Sequence, residues 1–205
     1  MKIDLNFIKD EKIGKAEVNT FEITEREHFY SKLRAQLNNK PEQIIEPGTY
    51  KRLFVNGELV MSNTNMEVDT HLKTISKAKG NVLVAGLGLG LYLTAVKDME
   101  EVKSITVIEK SKDVIELIGK YYKNDKIKII NADIFEYETD EYFDLIWLDI
   151  WGEFHEDNLK EMELLRNKFS KNSNEILCWS EDILLERKIR NFVNMEWFYE
   201  LLYNL

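Results

Sequence analysis

Four groups of residues in this 205-residue chain have the types and spacing to act on one ligand. Gly86, Gly88 and Gly90 follow the apolar run Val82-Leu83-Val84-Ala85, which reads as a buried strand entering a glycine turn. Such a turn lets the backbone approach a ligand where a Cβ would collide. The N–H groups that open the next helix then face a carboxylate or phosphate. Glu109 ends a second strand, Ser104 to Ile108, roughly 20 residues further on, where a carboxylate can take two ribose O–H donors. Asn131-Ala132-Asp133 closes a third strand, Lys126 to Ile130, and Asp149 closes a fourth, Phe143 to Leu148. Three successive strands thus carry an acid at their C-terminal ends, the edge at which open α/β sheets bind ligands.

The dinucleotide fingerprint G-x-G-x-x-G would need a glycine where Leu91 stands, so a nicotinamide dinucleotide is the poorer match. Strand-GLGLG, strand-Glu109, Asn131-Ala132-Asp133 and Phe143-Asp144-Leu145-Ile146-Trp147-Leu148-Asp149 together resemble class I S-adenosylmethionine-dependent methyltransferases, over roughly residues 80–180. The resemblance implies that Gly86, Gly88 and Gly90 line the methionine part of the cofactor. It further implies that Glu109 holds the ribose and that Asp133 with Ile134 binds the adenine edge. Upstream, Asn56-Gly57-Glu58-Leu59-Val60-Met61-Ser62 and Glu67-Val68-Asp69-Thr70-His71 are similar to the D-G-x-x-Q hairpin and E-x-x-Y-H segment of spermidine synthases. Glu67 and His71 keep their places and would border the substrate pocket. The tyrosine is Thr70, the glutamine is absent, and Leu89 stands where that family carries an amine-holding aspartate. Asp149 matches the family's final acid only in part. The resemblance carries the scaffold over, with its polyamine-recognising residues largely replaced.

Methyl transfer from a sulfonium is an in-line displacement, and much of its catalysis comes from holding donor and acceptor in line. A base is needed only where the nucleophile must lose a proton. Asp149, at the end of a buried strand, is the candidate catalytic residue, since partial desolvation raises a carboxylate's pKa toward general-base use. The alternatives are a cap on the next turn or a carboxylate that merely orients an amine. Trp151 and Phe154 follow directly. They offer either π faces to a cationic ligand or an apolar lid on the core. His155, Glu153 and Glu156 share that loop without the compact spacing of a metal site. Ser180 lies past a fifth strand, as an N-cap or a substrate contact. Three functions follow: methyl transfer to a small-molecule acceptor, aminopropyl transfer from decarboxylated S-adenosylmethionine, or a non-catalytic nucleotide-binding scaffold.

The formal net charge of −9 argues against a nucleic-acid partner, which needs a basic surface, and suits a small, cationic ligand. A single cysteine, Cys178, excludes an intramolecular disulfide and a cysteine-cluster metal site. No apolar run reaches membrane-spanning length, and Met1-Lys2-Ile3-Asp4 does not open a signal peptide. The expectation is a cytoplasmic protein. Because spermidine synthases are commonly oligomeric, the resemblance also implies a homodimer through the N-terminal region.

The elements that must position these residues read as an α/β fold. A doubly wound Rossmann-like methyltransferase sheet is preceded by a small N-terminal helix and β-hairpin region, with domains at 1–78 and 79–205. Residues around Lys12 to Val18 give a weak strand. Thr24 and Glu27 form a capping box that opens a helix through about Leu37. Asn56-Gly57 between Tyr50–Val55 and Glu58–Met61 signals a two-residue hairpin. A following helix should bury Val68, Leu72 and Ile75. Ser111 caps a helix with Val114, Ile118 and Tyr121 on one face, and Met162, Leu165 and Phe169 mark the next. Glu175 to Trp179 is the fifth strand. Leu185, Ile189 and Phe192 mark a last helix, and the aromatic tail from Trp197 to Leu205 reads as strand or helix.

Overall fold

The computed structural model describes residues 2–38 and 41–190, and the tail and Phe192 lie outside them. Two sheets organise the chain. The first is antiparallel, in the order β1 (Glu11–Ile13), β2 (Ala16–Ile23), β3 (Gly48–Val55), β4 (Glu58–Ser62). The weak strand expected near residues 12–18 is a hairpin, because Gly14 takes φ 54° and turns the chain between Ile13 and Ala16. Helix α1 (Glu25–Asn38) opens on the expected capping box: Thr24 N donates to Glu27 Oε2 at 2.7 Å, and Glu27 N to Thr24 Oγ1 at 3.3 Å. The β3–β4 turn puts both Asn56 (φ 56°) and Gly57 (φ 83°) in the left-handed region, as a type I′ turn requires.

Helix α2 (Asn65–Ile75) leads into the second sheet, which is wholly parallel. Its strands are β5 (Gly80–Ala85), β6 (Val102–Glu109), β7 (Ile127–Asn131), β8 (Leu145–Leu148) and β9 (Ile176–Cys178). They lie in the order β7-β6-β5-β8-β9. The chain builds outward from β5 in one direction and then returns to β5's other side with β8. That reversal is the switch point of a doubly wound, Rossmann-like sheet. Helices α3 (Leu91–Val96), α4 (Lys112–Ile118) and α5 (Asn158–Lys168) connect the strands, and residues 181–190 are helical.

Both faces of the parallel sheet are buried, so β5 and β8 read as unbroken apolar runs. Alternate residues feed two cores. Val82, Val84 and Val107 pack with Ile3, Leu5, Val18, Leu53 and Val68, so one core runs from the N-terminal sheet into the parallel sheet. Leu83, Ala85, Ile146 and Leu148 pack with Met162, Leu165 and Phe169 on the other face. Ser111 accepts from Val114 N at 3.3 Å and caps α4.

Three burial patterns differ from expectation. In α2 the inward residues are Val68, His71, Thr74 and Ile75, while Leu72 is 38% exposed. The stripe steps by three, then four, and selects a histidine whose ring nitrogens are both hydrogen-bonded. After α4 the chain tightens into a 3-10 turn, Gly119–Tyr122, which rotates Tyr122 rather than Tyr121 into the core. In the final helix Leu184 is fully buried, and Leu185 and Ile189 are exposed. Among the described residues no helix is long and apolar enough to cross a membrane.

Candidate active site

The glycine loop runs from the end of β5 to the start of α3. Gly86 has φ 97°, and a Cβ there would stand 2.1 Å from the carbonyl oxygen of Asp149. The close approach of β5 and β8 therefore demands glycine before any ligand is considered. Gly88 lies under Met61, whose sulfur sits 3.4 Å from Leu89 N. Gly90 packs against the Tyr122 ring, and Tyr122 Oη donates to the Leu89 carbonyl at 2.9 Å. Gly86 and Gly88 line the main cleft, whereas Gly90 is outside its lining.

Glu109 ends β6 and is nearly buried. Its Oε2 accepts from Leu87 N at 2.8 Å and its Oε1 from Ser111 N at 2.7 Å. One carboxylate thus ties the glycine loop to the start of α4 and keeps a second lone pair on each oxygen. Asp133 is exposed at the cleft rim, with Oδ1 accepting from Phe135 N at 3.0 Å, and Ile134 beside it is buried. Asn131 Nδ2 donates to the carbonyls of Glu109 (2.9 Å) and Lys110 (3.0 Å), which holds the β6 and β7 ends together.

Beside the loop, α2 brings Glu67 and His71 to Asp149. His71 is fully buried, with Nε2 2.9 Å from Asp149 Oδ2 and Nδ1 2.9 Å from the Glu67 carbonyl. Thr70 Oγ1 donates to that same carbonyl at 2.7 Å and accepts from Trp179 Nε1 at 3.0 Å. Burial opposes the imidazolium, but the charge and hydrogen bond of Asp149 outweigh it and raise the His71 pKa. The Glu67 side chain lines the cleft and makes no hydrogen bond among the described residues. Burial, with the Asp149 charge adding and His71 opposing, pushes its pKa up to about 7.

The cleft has a volume of about 820 Å³, within the range of small-molecule and cofactor sites. One wall is the β3–β4 hairpin, through Leu53, Val55, Leu59, Val60 and Met61. The opposite wall is Ile134, Phe135, Ile150 and Trp151. Glu58, Glu67, Glu109, Asp133, Asp149 and Glu153 line it against Lys110 and His155. An acid-rich, partly apolar cleft favours a cationic ligand with an apolar body. Among the described residues, no three His, Cys, Asp or Glu side chains group so as to hold a metal ion.

Trp151 lines the cleft and donates from Nε1 to Glu161 Oε2 at 2.7 Å, which fixes its ring against α5. Phe154 lies outside the cleft lining and packs on Trp179, with ring centroids 4.8 Å apart and the Arg187 guanidinium over its ring at 5.0 Å. The Ser180 side chain does not cap the next helix. Its Oγ has no partner among the described residues, and it lines a separate cavity of about 240 Å³. Only its main-chain carbonyl joins the next helix, accepting from Leu184 N at 3.1 Å. Cys178 is buried, and burial pushes its thiol up to about 12, which leaves it inert. Sequence reasoning missed Met61 and Tyr122, the side chains that clamp the glycine loop. Met61 reads only as part of the hairpin and Tyr122 belongs to no motif, and only their long-range packing reveals them as a clamp.

No family model matches the chain, and no curated protein does. Among solved structures, spermidine synthase from Thermotoga maritima is 16% identical, with 81% of this chain and 52% of that chain covered and a TM-score of 0.48. The N-methyltransferase NodS from Bradyrhizobium japonicum WM9 is 22% identical, with 52% and 57% covered and a TM-score of 0.39. The DhpI-SAM-HEP complex is 15% identical, with 58% of each chain covered and a TM-score of 0.43. The chain spans about half the length of these structures.

Proposed function

We propose that the cleft binds S-adenosylmethionine and that the protein transfers its methyl group to a small-molecule acceptor. The observation that carries this is the convergence of Gly86, Gly88, Glu109, Asp133 and Asp149, from four strand ends, on one cleft beside the switch point. The donor set fits the cofactor. Glu109 has lone pairs left for ribose hydroxyls, Asp133 and Ile134 offer an acceptor and an apolar surface for the adenine, and the acid-rich lining suits a cation. When bound, S-adenosylmethionine supplies an electrophilic methyl group on a sulfonium. Asp149 commits Oδ2 to His71, which leaves Oδ1 to orient the acceptor. His71 fixes that carboxylate, Glu67 adds a second acid, and Trp151 presents its indole to the substrate. Gly90 acts at one remove, by letting Tyr122 pack under the loop.

Calorimetric binding of S-adenosylmethionine, its decarboxylated form and S-adenosylhomocysteine tests this. Preference for the carboxylated compounds supports methyl transfer. Aminopropyl transfer is the second reading, favoured by the assembly of Glu67, His71 and Asp149. It predicts preference for the decarboxylated donor. Against it, the fully buried Leu89 offers no carboxylate to an amine. Binding of none of the three would leave a non-catalytic scaffold. We also propose a cytoplasmic protein, a homodimer through residues 1–78, and a cofactor-binding domain at 79–205.

A further inference from the structure

Asp149 and Glu67 face the same cleft, but only one of them is paired. Asp149 is bonded to His71 at 2.9 Å, whereas the Glu67 carboxyl meets no hydrogen-bond donor among the described residues. The charged groups that bear on Glu67 are Asp149, from the end of β8, and His71, one turn along its own helix. Asp149 favours the protonated form of Glu67, and His71 opposes it. Glu67 thus lines the cleft without a hydrogen-bonded counter-charge, and such a group favours its protonated form until a cation arrives.

Resting on the assignment of the cleft to a sulfonium donor, we infer that Glu67 exchanges its proton for the donor's positive charge. Glu67 loses its proton when S-adenosylmethionine enters and regains one when the product is the neutral thioether. In the transfer itself, the carbon–sulfur bond breaks with its electron pair going to sulfur. The acceptor's lone pair forms the new bond to carbon. The acceptor's proton passes to the Glu67 carboxylate, leaving a neutral acid beside a neutral thioether. Glu67 thus distinguishes donor from product by charge and is the proton acceptor, while Asp149 Oδ1 orients the acceptor.

The raised pKa of Glu67, about 7, sets the conditions of the test. Calorimetry near pH 7, in buffers of different ionisation enthalpy, counts protons released on binding. S-adenosylmethionine should release about half a proton per site, and S-adenosylhomocysteine about none from Glu67. By linkage, affinity for S-adenosylmethionine should rise about tenfold between about pH 6 and pH 8, with the thioether's affinity flat by comparison. Glu67→Gln should abolish both the release and the slope. Equal proton release by both ligands, or a pH slope that survives Glu67→Gln, would overturn the inference while leaving the donor assignment standing. Failure of both ligands to bind would overturn the donor assignment itself. Should the variant not fold, the contrast between the two ligands on the parent protein decides alone.

Discussion

His71 Nε2 lies 2.9 Å from Asp149 Oδ2, and its Nδ1 lies the same distance from the main-chain carbonyl of Glu67. A carbonyl only accepts, so Nδ1 carries a hydrogen, and a second hydrogen must lie between Nε2 and the carboxylate. The charge and hydrogen bond of Asp149 raise the proton affinity of His71 against the opposing effect of burial. The pair joins α2 to the end of β8, and so fixes the hairpin-side wall of the cleft to the parallel sheet.

The pair should be worth more to the fold than a surface salt bridge, because His71 is fully buried. His71→Leu leaves Asp149 unpaired and should cost roughly 3 kcal/mol, the low end for a broken buried pair, since Asp149 opens to the cleft. The double variant His71→Leu/Asp149→Leu should recover much of that loss. Urea unfolding of the set measures it. A loss in the double variant equal to the sum of the His71→Leu and Asp149→Leu losses would mean that the two side chains do not interact.

Stability should fall as the pH rises through the range in which Glu67 titrates. Its folded pKa of about 7 stands above the ordinary 4.5, so the folded state binds more protons than the unfolded one in that window. His71 acts in the same direction: with its folded pKa raised above 6.5, its stabilisation is full below that value and is lost as pH rises through the folded one. Glu67→Gln removes the Glu67 share of the slope. The variant should match the parent near pH 4 and exceed it near pH 8 by about 1–3 kcal/mol. Denaturant midpoints at the two pH values give the answer, and a variant less stable than the parent near pH 8 would refute it.

Much of this architecture is legible in the sequence because its signals are local. The Thr24–Glu27 capping box, the Asn56-Gly57 turn and the strand-to-acid endings at Glu109, Asp133 and Asp149 are each set by residues within a few positions of one another. What could not be read depends on partners far along the chain. Leu72 looks like the inward residue of α2 by hydrophobicity. His71 takes that place because Asp149, 78 residues later, satisfies its second nitrogen. Gly86 reads as space for a ligand, yet the nearest claimant to that space is the Asp149 carbonyl. Ser180 reads as a helix cap, but its Oγ bonds to nothing among the described residues.

Gly86→Ala separates these meanings of the glycine. The new Cβ would meet the Asp149 carbonyl at 2.1 Å on a backbone already at φ 97°, so β5 and β8 must separate. A loss of at least about 2 kcal/mol should follow, in the range of strain at special backbone positions. Gly152→Ala, where a Cβ meets nothing within 4 Å, is the control and should stay within about 0.5 kcal/mol of the parent. Thermal unfolding without any ligand is the measurement. A stable Gly86→Ala that merely failed to bind the donor would restore the ligand-approach explanation.

Glu109 and Asp133 should likewise part company. Glu109 accepts main-chain hydrogens from Leu87 and Ser111, so Glu109→Ala strands two donors and frees the glycine loop. The cost should be about 2–4 kcal/mol of stability, with donor binding lost as a consequence. Asp133 is exposed and supports only the local turn at Phe135. Asp133→Ala should change stability by less than about 1 kcal/mol, yet weaken S-adenosylmethionine binding about tenfold if it contacts the adenine. Calorimetry and urea unfolding on both variants provide a two-way comparison. Glu109 is expected to move both readouts, and Asp133 only the first. An Asp133→Ala protein that binds the donor like the parent would remove Asp133 from the site and place the nucleoside against Glu109 and Ile134 alone.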